Sequence, residues 1–382
     1  MSEGPKPFST DWYRDPAAPE RIARRLPPRP ARILIGVASK LPNERALSIL
    51  VVLFLVISSF WFAGPRGDAH DGNGTGVGTP LPTIAFSAPE PTAAPDISTD
   101  SLQVAEAPEK TAPKLDLQAP SDGETTNGLI PKNRIITYYG FPGNDSMGVL
   151  GEQNMQDSLT ALKQQAKAYE AADPTRPVLV GFEVIASVGQ RDPQADGSYL
   201  LDTPASVLDE YADFCEKNGI LLFLDVQIGR RTVSDEVQGL EPWLKKPFVH
   251  LAIDPEFAVK EGQVPGVDIG SVDASDITWT QNWLVKMAKD NDLPPKILMV
   301  HQFHDGMIQN KDKLAPVTGV QLVIDGDGWG PPDSKRSMYE FVNKEQEIQY
   351  NGIKIFYKQD DPILTPEEVV KMDPVPDVVV YQ

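Results

Sequence analysis

The chain has 382 residues, one cysteine and a formal net charge of −19 at pH 7. A single cysteine excludes an intrachain disulfide framework. An acid excess this large excludes nucleic acid as a partner, because phosphate backbones are repelled, and leaves neutral or cationic ligands open.

Residues 1–45 run against that balance. Arg21, Arg24, Arg25, Arg29, Arg32, Lys40 and Arg45 make them basic. Between Arg45 and Arg66 no residue is charged, and the run 46–64 contains Leu47 to Ile57 without a polar face. At the helical rise, about 19 residues cover roughly 28 Å, close to the hydrocarbon core of a bilayer. Phe60, Trp61 and Phe62 suit an interface, and the basic flank predicts a cytoplasmic N-terminus with the C-terminal part exported. A cleaved signal peptide is the alternative, but the segment before the apolar run is far longer than a normal signal n-region. Residues 65–131 are rich in Pro, Thr, Gly and Ala, as in Thr79-Pro80-Leu81-Pro82-Thr83. They cannot bury enough apolar surface to offset chain entropy and read as a disordered stalk reaching roughly 45 Å on average.

From 132 to 382 short β-rich runs alternate with helical ones. Strands are predicted at Arg134–Tyr139, Pro177–Val184, Ile220–Val226, Phe248–Asp254, Lys296–Gln302, Val320–Asp325, Ile353–Lys358 and Asp377–Tyr381. Met155, Leu159, Leu162, Ala166 and Tyr169 share one helical face, and Trp279, Trp283 and Met287 share another. Thr203-Pro204 and Thr365-Pro366-Glu367-Glu368 read as helix starts. Cys215 reads as a small buried hydrophobe on the apolar side of a helix. Eight strands separated by helices in about 250 residues predict an α/β fold, a single (β/α)8 TIM barrel. An open doubly wound sheet is the alternative, but no Gly-rich phosphate loop follows the first strand.

Polar residues gather at the C-terminal strand ends, the face on which barrel active sites form. By the two-residue repeat of a strand, Asp254 and Glu256 share a face, as do Asp325 and Asp327; Glu183 stands above Gly181 and Asp225 above Phe223. Carboxylates crowded into one mouth cannot all ionise cheaply, which would give a protonated acid beside an ionised base, the pair that glycoside cleavage needs. The expected catalytic residues are Glu256 as acid, Asp254 as its orienting neighbour, and Asp225, Asp325 or Glu183 as the second carboxylate. Substrate contacts are expected from Glu183, Tyr138, His301, Gln302, Asp327, Trp329, Lys358 and Tyr381, with Trp329 as a stacking platform. Lys358 also reads as an amine nucleophile or as an ion-pair partner of Asp360 or Asp361. Asp325-Gly326-Asp327-Gly328 has part of a calcium-loop pattern but lacks the downstream ligands. No metal and no cofactor is called for: His301 and His304 lack the i, i+4 spacing of zinc hydrolases.

At Leu251-Ala252-Ile253-Asp254-Pro255-Glu256 the fourth strand resembles glycoside-hydrolase barrels of the chitinase type, which end this strand in Asp-x-Glu. The resemblance implies that Glu256 is the proton donor and that Asp254 helps the substrate's own amide act as nucleophile. Val249 and Ala252 stand where that pattern carries two further acids. Through Tyr138-Tyr139-Gly140, Val300-His301-Gln302-Phe303 and Lys358-Gln359-Asp360-Asp361-Pro362 the domain also resembles a family of bacterial envelope proteins, which implies location and fold but no chemistry. The expected function is a membrane-anchored, extracytoplasmic glycoside hydrolase-like barrel acting on polysaccharide or another envelope glycan. A non-catalytic barrel that binds glycan or protein is one alternative. A metal-assisted hydrolase using His301 with Glu183 and Asp225 is another.

Overall fold

The computed structural model describes residues 128–382. The basic tail, the apolar run 46–64 and nearly all of the stalk lie outside the described residues. Among those described, no helix is long and apolar enough to cross a membrane.

Eight parallel strands form the core: β1 (Arg134–Gly140), β2 (Val178–Gly189), β3 (Leu221–Gly229), β4 (Val249–Ala258), β5 (Lys296–Gln302), β6 (Val320–Gly326), β7 (Tyr350–Ile355) and β8 (Val378–Tyr381). Each pairs with the next, and β8 returns to β1, so the sheet closes into a barrel with no free edge. Both faces of such a sheet are covered, which is why β1, β3, β5 and β6 are buried along their whole lengths. Leu251, Ile253, Leu322 and Ile324 alternate with the lumen-facing acids and pack into the surrounding shell.

The connections are less regular than a full set of eight helices. Helix α1 (Met155–Ala172) is capped by Asn154, and its buried stripe includes Leu159, Leu162, Ala166 and Tyr169. Helix α2 (Ala205–Asn218) buries Cys215 and ends at Gly219, whose φ of 61° suits a residue without a Cβ. Thr203 does not cap it. Its hydroxyl donates to the Ile185 carbonyl instead, fastening the return strand Leu200–Asp202 against β2. Helix α3 (Ala274–Asp290) opens with an Asp273–Asp276 capping box. It buries Ile277, Gln281, Leu284 and Met287, while Trp279 and Trp283 stack on each other at its half-buried flank. Between β5 and β6 there is no α-helix. Segment 303–319 is rich in Asp, Lys, Gly and Pro and lacks helical periodicity. It crosses on two 3-10 turns and covers the barrel with Met307, Ile308 and Leu314. The expected eight-fold strand–helix repeat therefore holds for the strands and not for every crossover.

β7 lies three residues earlier than the sequence predicts. The Asp360 carboxylate accepts from the Phe356 amide at 2.9 Å and turns the chain out of the sheet there, so Phe356 and Tyr357 belong to a turn. Within β7, Gly352 faces β6. A Cβ at this position would lie 2.6 Å from Asp325 Oδ1 and 3.0 Å from Asp325 Cα. Gly352→Ala is expected to cost about 1–3 kcal/mol of stability, as overpacking of a closed interior does. Chemical denaturation that gives an unchanged midpoint would contradict this packing.

Candidate active site

In-register pairing lines up the residues that enter the lumen. Tyr139 of β1 is level with Glu183 of β2, Asp225 of β3 with Ala252 of β4, and Gln227 with Asp254. Met299 of β5 follows Ala252, and His301 is level with Asp325 of β6. Gly352 of β7 is level with Asp325, and so Lys354 enters two residues higher. Every strand from β1 to β7 thus sends a polar or ionisable side chain into one mouth, while β8 contributes Val380 beside Thr137.

His301 is the centre of this arrangement and is wholly buried. Its Nε2 lies 2.9 Å from Glu183 Oε1 and its Nδ1 3.0 Å from Asp325 Oδ2. Asp225 Oδ1 is 3.9 Å from Nε2 and Asp327 Oδ2 is 3.5 Å from Nδ1. Burial alone would favour neutral imidazole. The hydrogen bonds to Asp325 and Glu183 outweigh it and hold the His301 pKa well above its ordinary value. Thr137 donates to the other oxygen of Glu183 at 3.2 Å, and Tyr139 donates to Asp225 Oδ2 at 3.1 Å.

Lys354 is the second cation. It is buried, lies 3.3 Å from Asp327 Oδ2 and sits 3.6 Å from the centroid of the Tyr139 ring. Although burial opposes its charge, Asp327, Glu183, Asp254 and Asp325 together raise its pKa. Against these two cations stand six acids: Glu183, Asp225, Asp254, Glu256, Asp325 and Asp327. The excess shows in the raised pKa values. Burial pushes Asp225 up to about 6. Burial and the neighbouring Asp225 push Asp254 up to about 7. Glu256 rises to about 8, by burial and then by Asp254 and Asp327. Glu256 is the least enclosed of the six, and its backbone amide donates to Asp254 Oδ1 at 3.0 Å.

The predicted site residues divide accordingly. Glu183, Asp225, Asp254, Glu256, His301, Asp325 and Asp327 come together in the mouth. Tyr138 and Tyr381 do not, because their strand parity turns them outward. Tyr381 hydrogen-bonds Tyr169 and Gln165 of α1, and Tyr138 meets the Tyr357 hydroxyl. Gln302 faces the crossover and accepts from Lys311 at 2.7 Å. Lys358 is exposed and pairs with Glu152, not with Asp360 or Asp361. Trp329 lies on the loop after β6 and is 52% exposed. Lys354, Gln227 and Thr137 are additional members that the sequence did not single out. Tyr139, which the sequence offers as a weaker stacking candidate, is instead a buried donor to Asp225. Strand parity could have found Gln227, two residues from a lumen position.

His301, Asp325 and Asp327 each offer one ligand atom, and these atoms lie within 4.8 Å of one another. The chain matches no protein-family model and has no match among the curated proteins.

The raised pKa values set a pH dependence of stability. His301 has a folded pKa above its unfolded value of about 6.5, so its contribution is complete below that value and is lost as pH rises through the folded one. Asp225, Asp254 and Glu256 retain protons that unfolded carboxyls release near pH 4, so they too lose stability as pH rises towards their folded values of about 6, 7 and 8. These four groups bind more protons in the folded chain across this window. Buried His250, held well below its ordinary value, and Lys296, lowered by burial to about 7, act in the opposite sense but are fewer, and stability is expected to fall from about pH 5 to about pH 8. Denaturant midpoints at the two ends should show it; a midpoint that climbs with pH would contradict the charge balance described here.

Proposed function

We propose that the barrel is a glycoside hydrolase-like enzyme acting on envelope or extracellular polysaccharide by carboxylate acid/base catalysis. The observation that carries the reading is Glu256. It is the most accessible acid of the mouth, it stands at the tip of β4, and its pKa of about 8 leaves it protonated at neutral pH. A carboxylic acid in that state can protonate the oxygen of a departing sugar. Asp254 accepts the Glu256 backbone amide, which fixes the acid's position, and its own carboxyl raises the Glu256 pKa.

Glu183 and Asp325 are committed to His301, which leaves Asp225 as the second carboxylate. Its Oδ1 has no hydrogen-bond partner, and Tyr139 orients it through Oδ2. Its neighbour on β4 is Ala252, whose methyl group takes little of the lumen. Trp329 supplies an exposed aromatic face on the rim, suited to stacking on a sugar ring. The exported, membrane-anchored arrangement belongs to the same proposal and rests on the basic residues before 46 and the apolar run 46–64.

Hydrolysis of a panel of polysaccharides by the full chain tests the reading. Glu256→Gln is expected to lower the rate by about 100-fold to 10,000-fold, the range of a general acid. The wild-type rate is expected to fall as pH rises through about 8, where Glu256 loses its proton. Equal turnover by both proteins would remove Glu256 from the mechanism. Glycan binding without turnover would instead fit a non-catalytic barrel.

A further inference from the structure

We infer that the β5–β6 wall of the mouth is a binding site for one divalent metal ion, held by His301 Nδ1 and the carboxylates of Asp325 and Asp327. Metal binding neither requires nor follows from glycoside cleavage.

The geometry comes first. Nδ1 is 3.0 Å from Asp325 Oδ2 and 3.5 Å from Asp327 Oδ2, and all three ligand atoms fall within 4.8 Å of one another. Ligands sharing one ion at metal–ligand distances of about 2.0–2.2 Å stand at separations of this order. Two of the three are committed by strand register and the third by its continuation. His301 and Asp325 are directly paired residues of β5 and β6, and the Asp327 amide donates to the Gln302 carbonyl at 3.0 Å, which extends the ladder past Gly326.

The surroundings are those of a ligand, not of a chance acidic cluster. The Nε2 of His301 is held by Glu183, itself fixed by Thr137. A carboxylate on the far nitrogen of this kind orients a ligating imidazole, and the near nitrogen, which shares a proton with Asp325, releases that proton to solvent when the ion enters. Three carboxylate oxygens in the same lumen, Asp225 Oδ1, Asp325 Oδ1 and Asp327 Oδ1, are buried with no hydrogen-bond partner. Buried acceptors of that sort are costly unless something satisfies them. Two carboxylates and one imidazole form a hard, mixed oxygen–nitrogen set, which fits Mn2+ or Zn2+ better than the soft-ligand ions.

Lys354 opposes the ion. Its ammonium lies 3.3 Å from Asp327 Oδ2 and must swing away, towards the remaining acids, when the metal enters. It therefore tunes affinity downwards, and replacing it is expected to strengthen binding.

The test is isothermal titration of the full chain, stripped of metal, with Mn2+ alone and with Zn2+ alone. One saturable equivalent per chain is expected for at least one of the two ions. Asp327→Asn and His301→Asn are each expected to weaken binding about tenfold or more, Glu183→Gln by about 10-fold to 100-fold, and Lys354→Met to tighten it. Absence of saturable binding by the wild type overturns the inference. So does undiminished affinity in a folded Asp327→Asn or His301→Asn protein. If those variants fail to fold, Glu183→Gln and Lys354→Met decide the matter, and unchanged affinity in both counts against the site.

Discussion

Placing a charged imidazole at the centre of a closed barrel is the constraint on which this domain depends. A lone buried cation is prohibitively costly, and His301 is tolerable only because acids bracket both ring nitrogens. Each bracket has its own support. Thr137 steadies Glu183 from β1, and the missing side chain at Gly352 leaves room for Asp325 on β6. The ring of contacts passes through β1, β2, β5, β6 and β7, so the polar centre ties together strands that lie far apart in sequence. Breaking one member leaves the opposite charge buried and unpaired, which is dearer than never having had the pair.

That solution leaves the mouth with more acid than base. Protons make up part of the difference, on carboxyls whose pKa values lie between those of ordinary carboxylates and neutral amines. The same shortage of positive charge underlies both proposals, Glu256 as a proton donor and a cation on the adjoining wall. The proposed acid on β4 and the proposed ion site on β5 and β6 draw on one electrostatic imbalance and lie on neighbouring strands of a single lumen.

The barrel was legible in the sequence because parallel strands buried on both faces appear as apolar runs, and all eight were found at or near their places. The acids were legible too. Asp254, Glu256, Asp325 and Asp327 obey strand parity, and Glu183 and Asp225 interrupt apolar runs, although their strands continue past them to Gly189 and Gly229. Lys354 was hidden by the misplaced end of β7: reading Phe356 and Tyr357 as strand put Lys358 at the tip and left Lys354 inside the run. Nothing local in the sequence marks the turn there, since Asp360 acts back across four residues. Tyr138 and Tyr381 were misplaced for a different reason. An aromatic residue at a strand end suits either face, and only the pairing of β8 with β1 puts Tyr381 against α1 and Tyr138 against Tyr381 and Tyr357. The crossover after β5 could not be read as helix-free with any force, because barrel regularity argues for a helix that its own composition does not support.

Asp360 joins three parts of the rim that would otherwise move separately. One oxygen accepts from Phe356 at the exit of β7, the other accepts from the Gly330 amide, and Lys335 pairs with the carboxylate at 3.0 Å while donating to the Gly328 carbonyl. The strand carrying Lys354 and the loop carrying Trp329 are consequently tied to one carboxylate. Loss of that one carboxylate would untie the turn after β7 and the loop after β6 together, since both are held by the same two oxygens.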